Sequence, residues 1–215
     1  MSGQSGPGRK RSFEDEQVFQ HITQILLESG MSSLSLPVLA RRLGVTHQSL
    51  GARFVSRSQM LRSYVQWMFD EYEASFRLAT ASITSPLELL WNILIFPIDQ
   101  RITGGAPGIP PQWIVLNLEL QREESLREML VGANRTVLER LKNAICQAID
   151  ESYLHAARAD VLAEQLYAAT LGGAVYWLFT RDDDDTTRME RDCSALICPL
   201  LVNPADSQVF SCEIV

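Results

Sequence analysis

The sequence predicts an all-α protein: an N-terminal three-helix head of the helix-turn-helix type, joined by a long helix to a larger helical body. Three observations carry that prediction. Apolar residues recur at three- and four-residue spacing through most of the chain, with almost no alternating pattern of the kind a strand needs. Cap and stop residues cut the first part into short segments and leave the rest in long ones. The charge is divided in the same place. Residues 1–62 hold eight basic side chains (Arg9, Lys10, Arg11, Arg41, Arg42, Arg53, Arg57, Arg62) against four acidic ones (Glu14, Asp15, Glu16, Glu28). The chain as a whole carries −7, so residues 63–215 carry −11. A basic head on an acidic body directs phosphates to one end.

The elements follow in order. Val18, Ile22, Ile25 and Leu26 mark a first helix, stopped by Gly30. Ser35 caps a second, which tolerates Pro37 in its first turn and runs through Leu39, Ala40 and Leu43 to Gly44. Thr46 caps a third, held by Leu50 and Phe54. Ser58 is the expected cap of a fourth, running to about Ala81, whose Leu61, Tyr64, Val65, Met68, Phe69, Tyr72 and Phe76 form a stripe too long for the head alone. In the body, helices are expected over 86–102, kinked at Pro97, and over 111–121, 124–153, 160–180 and 186–202, with a loop at 103–110. The domain limits are therefore a flexible basic arm (1–12), the head (13–62), the body (63–202) and a loose tail (203–215).

The informative stretch is Leu36 to Val55, LPVLARRLGVTHQSLGARFV. Two short helices joined this tightly can cross only over small residues, which Ala40 and Gly44 provide. Leu39, Leu43, Val45, Leu50 and Phe54 would form a small core. With Leu50 and Phe54 inward, Gln48 and Ala52 point outward, flanked by Ser49, Gly51 and Arg53, while His47 falls toward the core side, in a first turn that keeps it near any DNA. Such a face fits the major groove, where Gln pairs with adenine and Arg with guanine. Thr46 and Arg57 suit phosphates, as does Ser35, and Lys10 and Arg11 belong to an arm able to reach the duplex backbone or minor groove.

From Phe13 to Val65 the chain resembles the DNA-binding head of the TetR (tetracycline-repressor) family. The elements stand in register: Gly30, Leu39-Ala40, Leu43-Gly44-Val45-Thr46, Ser49-Leu50, Phe54, Arg57 and Met60-Leu61. In the family an aromatic residue, most often Tyr, precedes the Phe by three positions and touches a phosphate. Here Gly51 stands there, which loosens the helix by about 1 kcal/mol relative to Ala. The resemblance implies a homodimer formed through the last two long helices, a palindromic double-stranded DNA operator, and a small-molecule effector bound in the body.

The body supports those expectations in its own right. Ala168, Ala169, Gly172, Gly173 and Ala174 allow close helix approach, and Met189, Cys193, Leu196, Ile197 and Leu200 share one face. Ala169, Gly173, Leu196 and Leu200 are the expected dimer contacts. The expected effector pocket is lined by Met68, Tyr72, Trp91, Ile95, Trp113, Asn117, Tyr167 and Thr170, which suits a mostly apolar or aromatic ligand. Such residues at helical spacing also read as ordinary core.

No cofactor, metal or catalytic residue is expected. The four cysteines lack ligand spacing, the three histidines lack partners at triad or ligand spacing, and Asp182–Asp185 lacks the alternating oxygens and glycine of a calcium loop. No apolar run is long enough to span a bilayer, and the start has no secretory pattern, so the expected location is the cytoplasm. Three functions remain open. The leading one is a ligand-responsive repressor. The second is a dimeric small-molecule-binding protein with a degenerate head, and the third is an enzyme.

Overall fold

A computed structural model describes residues 14–96, 117–118, 120–180 and 185–210. The arm with Lys10 and Arg11, the loop at 103–110, Pro97, Trp113 and Cys212 lie outside those residues. The described residues are helical apart from turns and one isolated antiparallel bridge between Leu154 and Leu201. The chain divides into two compact units, Met1–Met68 and Phe69–Val215.

In the first unit, α1 (Asp15–Ser29) starts with the Gln17 side chain accepting from the Glu14 N–H at 3.4 Å. It buries Val18, Phe19, Ile22 and Ile25. Gly30 follows at φ 73, a conformation that favours glycine, and a 3-10 turn (Met31–Ser33) buries Met31. The helix α2 (Leu36–Leu43) is capped by Ser35, whose hydroxyl accepts from the Val38 N–H at 3.4 Å. Gly44 ends it at φ 65, ψ 28, so the chain turns sharply, and the Val45 N–H reaches back to the Ala40 carbonyl at 3.0 Å. Then comes α3 (His47–Arg53), capped by Thr46.

The next helix, α4 (Arg57–Thr80), begins two residues earlier than Ser58 as cap would give. Ser56 is the cap: its hydroxyl accepts from the Gln59 N–H at 3.1 Å, and the Gln59 side chain accepts from the Val55 N–H at 2.8 Å. Met60, Leu61, Tyr64 and Val65 of α4 close the core of the unit with Leu39, Ala40, Leu50 and Phe54. Phe19 lies at its centre, with ring centroids 6.3 Å from Phe54, 6.2 Å from Tyr64 and 5.5 Å from Trp67. Leu43 and Val45, expected in this core, are only half-buried.

The second unit contains the rest of α4, then α5 (Pro86–Ile95), α6 (Glu124–Asp150), α7 (Ala159–Thr180) and α8 (Asp185–Ile197). The helix α6 packs against both α5 and α7, and α7 packs against α8. The expected helix over 86–102 is seen as α5 as far as Ile95, with Phe96 still in the helical region at φ −51, ψ −42; its expected continuation and the kink at Pro97 lie outside the described residues. The expected helix over 186–202 stops short, at Ile197. Pro199 has no N–H to continue it, and Cys198–Leu200 tightens into a 3-10 turn.

The stretch expected as a loose tail is ordered through Phe210. The His155 N–H donates to the Leu200 carbonyl at 2.7 Å and the Val202 N–H to the Tyr153 carbonyl at 3.0 Å. Pro204–Phe210 then coils as a 3-10 segment. Phe210 meets Trp91 of α5 edge-on at 5.4 Å, and its carbonyl accepts from the buried Ser194 hydroxyl at 2.9 Å. A polar composition concealed one large buried anchor.

Candidate nucleic-acid interface

The face of α3 follows from its anchors. Leu50 is fully buried and Phe54 nearly so, and their burial contributes about 1.5–3 kcal/mol each. That turns Gln48, Ser49, Ala52 and Arg53 to solvent, and His47 with them, not toward the core side as the helical wheel alone gives. Gly51 is half-buried, and a Cβ built on it would meet nothing within 4 Å. Thr46 Oγ1 accepts from the Ser49 N–H at 3.1 Å and lies 2.8 Å from Ser49 Oγ, so both hydroxyls help hold the first turn. Ser35 does the same for α2.

Three cations of this unit are held by partners. Arg53 Nε donates to Asp15 Oδ1 in the first turn of α1, Arg42 pairs with Glu28, and Arg57 Nε donates to the Leu34 carbonyl at 3.3 Å. The Arg42 guanidinium holds the Glu28 carboxyl below the usual carboxylate range. Sequence reasoning missed Asp15 and Glu28. Their partners are 38 and 14 residues away, which no helical spacing rule links.

In the second unit the structure gathers some expected effector residues and separates others. Tyr72 sets its ring edge-on to Phe96 at 5.3 Å and stacks beside Phe76 at 6.2 Å. Burial pushes the Tyr72 hydroxyl up to about 12. Next to it Arg140 of α6 pairs with Glu73 and lies 4.9 Å over the Phe76 ring. The Tyr167 hydroxyl donates to Asn134 Oδ1 at 2.8 Å, linking α7 to α6. Glu73, Asn134 and Arg140 were not singled out, since no local pattern connects them.

Trp91 and Ile95 are buried in the core, Trp91 against Phe210. Thr170 is buried too. Its hydroxyl donates to the Leu166 carbonyl at 3.0 Å and lies 3.9 Å from the Cys193 sulfur, so it belongs to the contact between α7 and α8. Burial raises the Cys193 thiol to about 11. Asn117 and Met68 are half-buried. Among the described residues no group of His, Cys, Asp or Glu could hold a metal ion, and no helix is long and apolar enough to cross a membrane.

Of the expected dimer contacts, Gly173 is taken up inside the chain: a Cβ on it would come within 3.3 Å of the Met189 side chain, so it permits α7 to approach α8. Ala169, Leu196 and Leu200 are half-buried against the core of the unit, and Leu200 lies beyond the helix. Met189, Cys193 and Ile197 are fully buried there. An apolar stripe records that a helix has a partner without recording which chain supplies it. The opposite face of α7 carries Leu171, Val175 and Phe179, all exposed and Phe179 at 84%, while Tyr176 lies toward α8, with the Arg188 guanidinium 4.0 Å over its ring.

An all-helical chain with this tight three-helix head and a helical second unit has the fold of the TetR-family transcriptional regulators. The structure of such a regulator from Haloarcula marismortui matches with a TM-score of 0.74 at 16% identity, over 87% of this chain and 97% of its own. One from Cytophaga hutchinsonii matches with 0.71 at 11% identity, over 88% and 95%. FadR of Bacillus subtilis, determined with stearoyl-CoA, matches with 0.64 at 13% identity, over 86% and 98%. No family model and no curated protein matches the sequence.

Proposed function

We propose that this chain is a DNA-binding transcriptional regulator, a homodimeric repressor released from a palindromic operator by a small, mostly apolar ligand. The observation that carries the reading is the outward face of α3, with Gln48, Ser49 and Ala52 exposed over a buried Leu50 and Phe54. A short helix so anchored and so turned out matches what the major groove accepts. Ser35, Thr46, His47, Arg53 and Arg57 flank it, and Lys10 and Arg11 add charge for the backbone.

The dimer forms through the exposed ridge of α7, Leu171, Val175 and Phe179, meeting its copy about a two-fold axis. The ligand reading draws on the aromatic and polar groups around Tyr72, Tyr167 and Arg140, and on the stearoyl-CoA bound by FadR.

The test is a ligand-free selection from genomic fragments, followed by gel shifts of the recovered duplex against a random one. Wild-type protein is expected to prefer the selected duplex. Gln48→Ala should relax that preference by about 1–3 kcal/mol. Equal binding of both duplexes at moderate salt would instead favour the second reading, a small-molecule-binding protein with a degenerate head, for which Gly51 is the motivating residue.

A further inference from the structure

The first turn of α1 carries three consecutive acids, Glu14, Asp15 and Glu16. Acids at a helix N-terminus complement its dipole, and that alone would account for all three. Their contacts separate them. Glu14 is tied to Gln17 and Glu16 accepts from Gln20 Nε2 at 3.1 Å, both within α1. Asp15 pairs across to α3, where its carboxylate takes the Nε–H of Arg53, and the Glu14 charge adds attraction to the same guanidinium. This places a negative charge at the edge of a face read as meeting phosphates. The pair is half-exposed, with side-chain exposures of 40% for Arg53 and 49% for Asp15, so it adds little to stability.

We propose that Asp15 is a positioning residue for sequence recognition: its carboxylate, bound to Arg53 Nε, orients the guanidinium toward one base edge. The inference rests on the reading of α3 as the recognition helix. Arg is a long side chain with many rotamers, and an unsupported one at the end of a short helix samples phosphates and bases alike. An acceptor in the plane of the guanidinium at Nε fixes that plane, and planar bidentate pairing with guanine depends on it. Removing the carboxylate also removes repulsion toward the duplex. The two consequences therefore differ in sign on different DNA.

The experiment measures Asp15→Asn, Asp15→Glu and Arg53→Ala, and the Asp15→Asn/Arg53→Ala double variant, on the genomically selected duplex and on a random duplex. For Asp15→Asn, binding to the random duplex should stay the same or tighten, while the preference for the selected duplex falls on the order of 5–150-fold, the range of one good base contact. Asp15→Glu should recover part of that preference. In the Arg53→Ala background the Asn substitution should no longer change the ratio. Equal tightening on both duplexes would make Asp15 a repulsive charge only, and no change on either, or an unchanged effect without Arg53, would also overturn the proposal. If the wild-type protein itself does not distinguish the duplexes, the reading of α3 fails and the proposal falls with it.

Discussion

Gly51 lies in the middle of α3 with open space where a side chain would go. Two substitutions separate its effects. Gly51→Ala should raise stability by up to about 1 kcal/mol, because alanine loses less backbone entropy in a helix. Gly51→Tyr should tighten binding to selected and random duplexes by the same factor, as a phosphate contact does. Thermal melts and gel shifts check the two; a lower melting temperature for the alanine variant would mean that the glycine is there for its backbone. Cys193 makes a different prediction. Its thiol ionises near 9.0 when exposed and near 11 in the fold, so the unfolded chain gives up its proton first as pH rises. The stability this group contributes is complete below pH 9 and is lost as pH rises through about 11. Two units correspond to about 2–3 kcal/mol. Urea midpoints from pH 7 to 11 should fall over that range, and Cys193→Ala should flatten the fall.

The helix α7 has two apolar faces with different partners, and they predict opposite outcomes. Phe179→Glu changes an exposed residue on the ridge, so the protein should stay folded and become monomeric by light scattering. Gly173→Arg drives a long side chain into Met189 and should unfold the second unit instead. A folded dimer in Phe179→Glu would remove the ridge from the interface. These faces also mark how much the sequence disclosed. The caps at Ser35 and Thr46, the stop at Gly44 and the anchors Leu50 and Phe54 were all legible, because each is a local rule acting within four residues. Gly173 against Met189, Phe210 against Trp91, Asp15 with Arg53 and Arg140 with Glu73 were not. Each joins residues far apart in the chain, where periodicity says only that a partner exists. The head was readable since a short motif nearly determines its own packing. The effector residues were less so, since Thr170 and Trp91 carry the same pattern whether they line a site or fill a core.

Taken whole, the molecule carries one element common to both units. The helix α4 places Met60, Leu61, Tyr64 and Val65 in the core of the first unit and Phe76 in that of the second, without a break between Arg57 and Thr80. In the second unit Arg140 grips it twice, through Glu73 and over Phe76, beside Tyr72. A ligand that binds near Tyr72 therefore acts on the far half of a helix whose near half packs on α1 through Tyr64 and Trp67. In a two-fold dimer the two recognition helices must meet half-sites about 34–36 Å apart, or a multiple of that. A small tilt of α4 alters that spacing while the head stays folded. The ligand can shift this equilibrium only by its differential affinity for the two states, typically about 1–3 kcal/mol, or roughly 5–150-fold in operator affinity. Linkage requires the operator to weaken the ligand by the same factor. Calorimetric titration of an identified ligand with and without operator should show that equality. Arg140→Met keeps much of the stem but releases Glu73, and should reduce the coupling while leaving DNA binding without ligand nearly unchanged. Equal ligand affinities in both wild-type titrations would refute transmission through α4, and undiminished coupling in Arg140→Met would remove the Arg140 grip from it.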